Sequence, residues 1–505
     1  MSFEITFLGS SGGPVEGTTC SIMIKPRKVS YQDILTKKLY HQLITIDAGS
    51  GLAQLTETIY NEIHTQQPTS KHLLWYQDSL PVNEYIKSTI TMPFKDFGTH
   101  INPFKLAQQI ICKMSSYLIT HPHLDHIASL VINSAGFSRL NPKNIYGSEC
   151  TIDALERYIF NGIIWPNMPR FGVVNLFRKE YREKWIVGEN VDEKKINRDV
   201  LTKRNIDLFL TENERKKSKS EGAKSSIPKD LPSLEDAPLS ITSKDQPTSK
   251  DATDLETEQP VFSVEMFELS HGELIRTSKS KSKSSDLSKC DTGQDSSYDE
   301  VIECCSSNQY ECLTPSTGSL NKNDEYNTTN GHTHEHYLSS AFLVTQNLDN
   351  SSLLIFGDFE SDAISTLDDN LRIWKHIAPL ITSPDNPLKG IILECSNSND
   401  TSLSELYGHL IPFHLIRELK VLEKLCLAVN PTISQPLKDF PIIINHVKES
   451  VIGGGALSSE FHMIEDEFHL QDPRKHVMEQ LDELNKKENL GIKFSMALSG
   501  VTIEL

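Results

Sequence analysis

The sequence predicts an α/β protein, either one large α/β domain or two packed sheets covered by helices, interrupted by two long disordered insertions. Short apolar segments of strand length recur towards both ends of the chain, and segments with helical periodicity separate them. Two polar stretches, at about 211–260 and 276–336, break this pattern and carry too few apolar residues to form a core. We therefore expect residues 1–505 to form a single domain, built from the sequence on both sides of the insertions.

Three strands and a helix are predicted in the N-terminal part of the chain. Apolar residues alternate with polar ones, or cluster, in strands at 3–8, 20–24 and 43–46. A glycine-rich turn follows the first strand, but it lacks the Lys and Ser/Thr of a phosphate-binding loop. The third strand ends at Asp47, and helical spacing then predicts a helix over 52–63. Residues 64–105 are less periodic and are expected to form a long connection.

Three histidines and an aspartate occur close together in segment 120–126, with the sequence THPHLDH. A predicted helix over 104–113 and a short strand at 117–119 precede it, and Asp125 and His126 begin the next predicted helix. Neutral imidazoles bind zinc and similar metals, while the carboxylate can bind a second ion or hold a water molecule. The strand end is therefore a candidate metal site. The alternative is that these histidines only cap a helix in a solvated loop.

The two insertions are predicted from composition. Residues 211–260 contain no aromatic residue and are dominated by Ser, Thr, Lys, Asp, Glu and Pro. Such a segment buries too little apolar surface to offset the entropy lost on ordering, so we expect disorder. Strand alternation returns over 261–269 and ends at His271, and the second polar stretch begins shortly afterwards. A histidine-bearing strand between two disordered segments is best explained if it belongs to a sheet shared with the rest of the chain.

The C-terminal part contains further strands whose ends carry metal-binding residue types. The predicted strands are 337–344, 353–356, 391–393 and 441–445, with a helix over 415–427 and two short strands within 492–505. Continuous apolar runs of this kind are typical of strands buried on both faces. Asp358, Glu394 and His446 lie at the ends of three of them. Loops at one end of a rigid sheet are where sites are commonly built.

The composition predicts a soluble, cytoplasmic protein that binds neither nucleic acid nor a membrane. A formal net charge of -18 opposes capture of a polyanion, although a small anionic substrate can still enter a pocket whose field is set by metal ions. No apolar run approaches the roughly 20 residues that span a bilayer, and residues 1–5 lack the features of a signal peptide. The cysteine count is 9, an odd number without paired spacing, which fits reduced thiols.

The polar strand ends supply enough donors for two metal ions. The ligand sets are His121, His123 and His271 for one ion, and Asp125, His126 and His446 for the other. Asp358 can bridge them. Two ions about 3.5–4 Å apart share a hydroxide and stabilise both the attacking and the leaving oxygen of a displacement at phosphorus. Structural roles are the alternatives for the later residues: His271 at a strand end, Asp358 in a turn and His446 as a half-buried histidine.

Six short segments share a pattern with a known family. They are 120–126 (THPHLDH), 267–272 (FELSHG), 339–343 (SSAFL), 356–358 (FGD), 394–397 (ECSN) and 406–410 (LYGHL). The first has the His-x-His-x-Asp-His pattern of the metallo-β-lactamase superfamily. Together they resemble the class II cyclic nucleotide phosphodiesterases of that superfamily, in particular the fungal low-affinity cyclic-AMP phosphodiesterases. The resemblance covers both ends of the chain and omits the two insertions.

This resemblance implies an αββα sandwich of metallo-β-lactamase type with two zinc ions, for which Mg²⁺ or Mn²⁺ are alternatives. It implies hydrolysis of 3′,5′-cyclic AMP, with cyclic GMP as a second candidate, to the 5′-monophosphate in cyclic-nucleotide signalling. A hydroxide between the ions, oriented by Asp125 and Asp358, would attack phosphorus. By analogy within the superfamily, His409 is the candidate proton donor or phosphate contact, and Glu394 is the candidate to orient it. The alternative for His409 is that it caps a nearby helix.

Ser340 and Asn397 are candidate contacts to the nucleotide, and a homodimer is one candidate assembly. Two other functions compete with this interpretation. A tRNA 3′-processing endonuclease of the same superfamily needs a basic surface or arm for its polyanionic substrate, and the sequence shows neither. A catalytically silent scaffold, whose insertions recruit partners, predicts a broken ligand set, whereas all expected donors are present.

Overall fold

The computed structural model describes residues 2–65, 67–188, 261–274, 335–449 and 471–505. The chain divides into two compact units. One consists of Met1–Gly272 and Leu338–Leu505, and the other, Glu273–Tyr337, is described only at the ends of two strands. The predicted disorder over 211–260, and over nearly all of 276–336, lies outside the described residues.

One sheet is built mostly from the N-terminal part of the chain. Its strands, numbered in chain order over both sheets, are β1 (Phe3–Gly9), β2 (Ser21–Pro26), β3 (Ile44–Ile46), β4 (Thr89–Thr91), β5 (Ser116–Leu118), β6 (Lys143–Gly147), β7 (Val174–Arg178) and β15 (Val501–Glu504). Their order is β4-β15-β1-β2-β3-β5-β6-β7. Strands β3, β5, β6 and β7 are parallel, and the other pairs are antiparallel.

The other sheet is built mostly from the C-terminal part. Its strands are β8 (Lys184–Ile186), β9 (Phe262–Leu274), β10 (Glu335–Gln346), β11 (Ser351–Phe356), β12 (Leu388–Glu394), β13 (Pro441–Asn445) and β14 (Lys493–Met496). They lie in the order β14-β13-β12-β11-β10-β9-β8. Strands β11 to β14 are parallel and buried, which explains their continuous apolar runs.

Helices connect the strands. They are α1 (Tyr31–Thr36), α2 (Leu52–Thr65), α3 (Val82–Tyr85), α4 (Pro103–Lys113), α5 (Leu124–Asn133), α6 (Glu149–Ala154), α7 (Asp362–Ser365), α8 (Asp369–Thr382), α9 (Pro412–Val429) and α10 (Pro473–Glu488). Asn102 caps α4 by accepting the Lys105 N–H, and a proline at the start of α4, α9 and α10 suits a position without an intrahelical N–H partner. In the part of the chain that the structure describes, every helix is too short or too polar to cross a bilayer.

Alternate side chains of the first sheet enter two different cores. Ile22 and Ile24 of β2 lie in a core that contains both sheets and helices α8 and α9. Met23, between them, lies in a second core with α2 and α4. This alternation follows from the two-residue period of a strand. The layers are therefore helix, sheet, sheet and helix.

Most predicted elements are confirmed to within four residues at each end, but one boundary needs correction. The second insertion was predicted to extend to residue 336, whereas β10 begins at Glu335, because its strand extends past the apolar run used to locate it. A π-helix, Leu155–Ile159, continues α6. Periodicity missed β4, which is short and pairs with the distant β15.

Glu62 of α2 makes stability depend on pH. Its side chain is buried, and its Oε2 accepts the N–H of Phe94 at 2.7 Å. Burial raises the pKa of Glu62 to about 8, so the folded protein keeps a proton that the unfolded chain loses near pH 4.5. The free energy of unfolding should therefore fall as pH rises from about 5 to 8. Glu62→Gln keeps the hydrogen-bond acceptor and should remove this dependence on pH. The free energy of unfolding that the wild type loses through Glu62 amounts to about 4 kcal/mol at pH 8.

Urea unfolding of wild type and Glu62→Gln at pH 5, 6.5 and 8 checks this expectation. Glu57→Gln is the matched control, since Glu57 lies on the same helix but is partly exposed and paired with Lys71. The control should keep the wild-type dependence on pH. A constant difference between Glu62→Gln and wild type at all three pH values would contradict the assignment.

Candidate metal centre

Loops at one edge of the two sheets bring the predicted ligands together. Because β11, β12 and β13 are parallel, Asp358, Glu394 and His446 meet at the same edge. Strand β5 ends just before segment 120–126, and β9 carries His271. The strands are buried and their register is fixed by pairing, so the loop positions are held by the scaffold.

The first donor group consists of His121, His123, His271 and Asp358, whose ligand-type atoms lie within 4.8 Å of one another. His121 Nε2 lies 3.0 Å from His123 Nδ1 and 3.7 Å from Asp358 Oδ2. His271 Nε2 lies 3.8 Å from the same carboxylate oxygen. The structure thus brings the histidine of β9 to the loop that follows β5, as predicted.

The second donor group consists of Asp125, His126, His446 and Asp358. His446 Nε2 lies 3.2 Å from Asp125 Oδ2 and 3.1 Å from Asp358 Oδ2. His126 Nε2 lies 3.1 Å from His446 Nε2 and 3.3 Å from Asp358 Oδ2. Both groups therefore include Asp358, which occupies the position between them.

Both groups fit a divalent ion. In a tetrahedral site with ligand atoms about 2.1 Å from the ion, the ligand atoms lie about 3.4 Å apart. The separations from 3.0 to 3.8 Å agree with this value. Imidazoles combined with carboxylates are ligands that zinc and related metals use. The donor chemistry and the spacing of the side chains both support two metal positions.

The electrostatics of the cluster favour the metal-binding protonation states of Asp358, His121 and His271. Burial alone would raise the pKa of Asp358, but His446 and His126 hold it well below its usual range. Burial, with His126 close by, lowers the pKa of His121 well below its ordinary value. Burial also lowers the pKa of His271 to about 4. An ionised carboxylate and neutral imidazoles are the forms that coordinate a metal. Burial alone would lower the pKa of His126 and of His446, but Asp358 raises both above their ordinary values.

Asp47 is a site residue that sequence reasoning missed. Its Oδ2 accepts a hydrogen bond from His126 Nδ1 at 2.8 Å, and its Oδ1 accepts the N–H of Thr120 at 2.8 Å. A carboxylate on Nδ1 fixes the tautomer, so that Nε2 of His126 faces the cluster with its lone pair. The signal was present in the sequence as an acidic residue at the end of a predicted strand.

Replacement of Asp47 by Asn should weaken metal binding without unfolding the protein. The amide oxygen can accept one hydrogen bond, but the side chain no longer holds His126 with a charge. Loss of such a partner typically lowers metal affinity about 10–100-fold. Metal content after dialysis against a graded chelator measures the effect. Asp439→Asn is the matched control. Asp439 has a positive φ of 58°, close to the 54° of Asp47, but it is exposed and lies outside the donor groups. If both variants kept the same amount of metal, the role of Asp47 in holding His126 would be contradicted.

A third group links Glu394, His409 and His446. His409 Nδ1 donates to Glu394 Oε1 at 2.9 Å and lies 3.9 Å from Asp358 Oδ2. Ser396 Oγ donates to the other oxygen of Glu394 and lies 3.0 Å from His446 Nδ1. Burial alone would raise the pKa of Glu394, but His409 holds it below its ordinary value. His409 therefore lies beside the cluster with its Nδ1 side held by a carboxylate.

Two glycines permit backbone to approach the ligands closely. Gly408 has φ of 80°, and a Cβ there would lie 2.5 Å from the His271 carbonyl carbon. The carbonyl oxygen of Gly408 accepts the Nδ1–H of His271 at 2.9 Å. A Cβ on Gly12 would lie 2.6 Å from the His446 ring. The N-terminal glycine-rich turn thus packs against a metal-type ligand, a contact that sequence reasoning did not predict.

The two candidate nucleotide contacts, Ser340 and Asn397, each lie next to a segment that carries a residue of the cluster. The Ser340 carbonyl accepts the N–H of Gly357 at 2.9 Å, next to Asp358, and Ser340 is buried. The Asn397 N–H donates to the Leu410 carbonyl at 3.3 Å, so Asn397 lies beside the segment that carries His409. The Asn397 Nδ2 atom is buried without a hydrogen-bond partner among the described residues. Neither residue belongs to a donor group.

Known proteins resemble the chain along its whole length. The family model of class-II cAMP phosphodiesterases matches residues 33–500. A 3′,5′-cyclic-nucleotide phosphodiesterase of Candida albicans is 36% identical, over 100% of this chain and 100% of its own. The 3′,5′-cyclic-nucleotide phosphodiesterase 1 of Saccharomyces cerevisiae is 23% identical, over 100% of this chain and 99% of its own.

The architecture is also similar to a solved structure. The crystal structure of unliganded yeast PDE1 superposes with a TM-score of 0.61 at 22% identity, covering 100% of this chain and 99% of that chain. The αββα sandwich that the sequence implied is confirmed by this likeness and by the order of the layers.

Proposed function

The chain belongs to the class-II cAMP phosphodiesterases, and from this premise we propose that it hydrolyses 3′,5′-cyclic AMP, and cyclic GMP as a second substrate, to the nucleoside 5′-monophosphate. Family membership makes it a cyclic-nucleotide phosphodiesterase. The observation that carries the finer proposal is the pair of donor groups that share Asp358. Two adjacent metal positions suit displacement at phosphorus, where both the attacking and the leaving oxygen need stabilisation.

We propose zinc as the ion at both positions, with Mg²⁺ or Mn²⁺ as alternatives. The residues that would hold the ions are those of the first and second donor groups. Bound divalent ions would supply Lewis acidity toward the phosphate and lower the pKa of a water molecule, so that it attacks at neutral pH. Asp125 has a side chain that is 28% exposed, so it can contact a water molecule that enters from the solvent side.

The leaving oxygen needs a proton, and we propose His409 as the donor. As water attacks, its oxygen forms a bond to phosphorus and gives up a proton to the solvent, the bond between phosphorus and O3′ breaks, and O3′ takes up a proton from His409, which the solvent then reprotonates. Glu394 accepts from Nδ1 of His409, which leaves Nε2 of the protonated ring to donate to O3′. Glu394 acts by orienting His409 through this hydrogen bond. Asn397 Nδ2 and Ser340 are proposed contacts to the nucleotide.

Metal analysis combined with turnover of cyclic AMP by the purified protein tests the proposal. Two equivalents of zinc, with release of 5′-AMP, would support it. Absence of turnover in protein with two bound ions would overturn the substrate assignment. Turnover in protein from which all metal has been removed would overturn the assignment of the donor groups.

We propose further that residues 1–505 form one domain in the cytoplasm and that the polar insertions are dispensable for catalysis. The described cysteines are free thiols, as expected in a reducing compartment. Deletion of residues 276–330 should leave turnover of cyclic AMP within about twofold of wild type, because this segment lacks the patterning of a core. A control deletion that also removes β9, and His271 with it, should abolish activity. A large loss from the first deletion would contradict the proposal.

A further inference from the structure

A cavity of about 260 Å³ lies between α7, α8 and α9, apart from the metal centre. Its walls contain none of the residues in the donor groups. Ser361, on the wall, follows Asp358 by three residues, so the cavity is a neighbour of the metal centre but has its own lining. The volume is slightly below the roughly 300 Å³ at which sites for drug-sized ligands begin, so it suits a smaller molecule.

Two buried polar side chains on the wall, Ser361 and His414, each have an atom without a hydrogen-bond partner among the described residues. Ser361 is 2% exposed and His414 is 7% exposed. Within the described part of the chain, Ser361 Oγ and His414 Nδ1 make no hydrogen bond. Buried hydroxyl and imidazole groups are normally hydrogen-bonded, because an unpaired group loses its interaction with water and gains nothing in return. A bound molecule with hydrogen-bonding atoms would satisfy both.

Arg417 adds a positive charge to the same wall. It lies one helical turn after His414 on α9, and its guanidinium is 5.7 Å from the centre of the Phe413 ring. Among the ion pairs of the described residues, none involves Arg417. A guanidinium next to an aromatic ring, without a carboxylate partner, is suited to a planar anion.

Three carboxyl groups line the cavity, Asp362, Asp368 and Glu418, and each already has a partner in the protein. Asp368 is paired with Arg372. Asp362 accepts the N–H groups of Asn370 and Leu371 at 3.0 and 2.8 Å. Glu418 accepts from the Asp362 N–H at 2.9 Å and from Trp374 Nε1 at 3.0 Å. They are bound to groups of the protein and leave Arg417, His414 and Ser361 for a ligand. Their proximity also disfavours a dianion such as a phosphate monoester, while a single negative charge opposite Arg417 is tolerated.

The rest of the wall is apolar. Leu367, Leu371 and Val421 line it between α7, α8 and α9. Apolar side chains together with a few convergent polar groups are typical of small-molecule sites. The two kinds of surface predict a ligand with an apolar body and one negatively charged end.

We propose that this cavity is a second binding site, separate from the metal centre, for a small aromatic or aliphatic monocarboxylate. Arg417 pairs with the carboxylate, Ser361 and His414 hydrogen-bond to it, and the leucine and valine side chains cover the apolar body.

Binding of 2-naphthoate to the metal-loaded full chain, measured by saturation-transfer NMR, tests the proposal. The neutral isostere 2-naphthamide should bind at least fivefold more weakly. Arg417→Gln should raise the Kd for 2-naphthoate at least tenfold, and Ser361→Ala should raise it at least threefold. Ala363→Trp, at an exposed position on the wall, should abolish binding because the indole fills the cavity.

Lys424→Gln is the matched control, since Lys424 is an exposed cation on α9 that does not line the cavity. It should leave the Kd unchanged. Arg417→Gln, Ala363→Trp and the control should all hydrolyse cyclic AMP within twofold of wild type. An unchanged Kd in Arg417→Gln would overturn the proposal, because the carboxylate would then bind elsewhere, for example at the metal centre. Equal affinity for 2-naphthamide, or no binding of 2-naphthoate by wild type, would overturn it as well.

Discussion

Asp125→Ala should abolish hydrolysis of cyclic AMP while the protein keeps its fold. Asp125 Oδ2 lies 3.2 Å from His446 Nε2 and 3.6 Å from His126 Nε2, so its loss removes a carboxylate from the second donor group. We expect turnover to fall about 10³-fold or more, since one ion and the group that orients the nucleophile are lost together. The fold should survive, because Asp125 lies in the first turn of α5, where alanine is a good helix former.

Three measurements check this expectation: metal content, circular dichroism and turnover. Glu149→Ala is the matched control, since Glu149 is the acidic residue in the first turn of α6 and lies outside the donor groups. It should keep two equivalents of metal and full activity. If Asp125→Ala retained more than a tenth of wild-type turnover with two ions bound, Asp125 would not be needed for the chemistry.

The candidate metal ligands could be selected from the sequence because most of them lie at or just beyond the end of a strand with a strong local signal. The run at 353–356 is apolar at every position, as expected for a strand buried on both faces, and Asp358 stands just beyond it. The same logic located His446 after β13. What local sequence could not show is which strands are neighbours: β9 and β5 lie in different sheets, and only the packing of the sheets brings His271 to His121.

The supporting residues were harder to predict for a physical reason. Asp47 and Ser396 contact His126 and His446, respectively, through side-chain hydrogen bonds, and such bonds leave no periodic pattern in the sequence. Gly12 contributes only the absence of a side chain beside His446. Strand β4 was not predicted, because its three residues carry too little pattern and its partner, β15, lies at the other end of the chain.

His409→Ala should separate proton donation from metal binding. We expect turnover of cyclic AMP to fall about 10²–10⁴-fold, the range for loss of a general acid. Hydrolysis of bis(4-nitrophenyl) phosphate should fall less than fivefold, because 4-nitrophenolate leaves without a proton whereas the ribose 3′ oxygen does not. Two equivalents of metal should remain, since His409 lies outside the two donor groups that share Asp358.

The matched control is His476→Ala, which breaks another histidine–carboxylate pair, with Asp400 at 2.6 Å, on the exposed surface. It should leave the hydrolysis rates of both substrates unchanged.

Glu394→Gln keeps the shape of the buried partner of His409 and should reduce turnover of cyclic AMP about 10–100-fold. Its effect on hydrolysis of bis(4-nitrophenyl) phosphate should again be small. Equal losses on the two substrates would show that His409 positions the phosphate rather than protonating O3′. Loss of an ion would instead make His409 a ligand, through the group that it forms with Glu394 and His446. The ratio of the two rates, read together with metal content, therefore assigns the role of His409 among proton donor, phosphate contact and metal ligand.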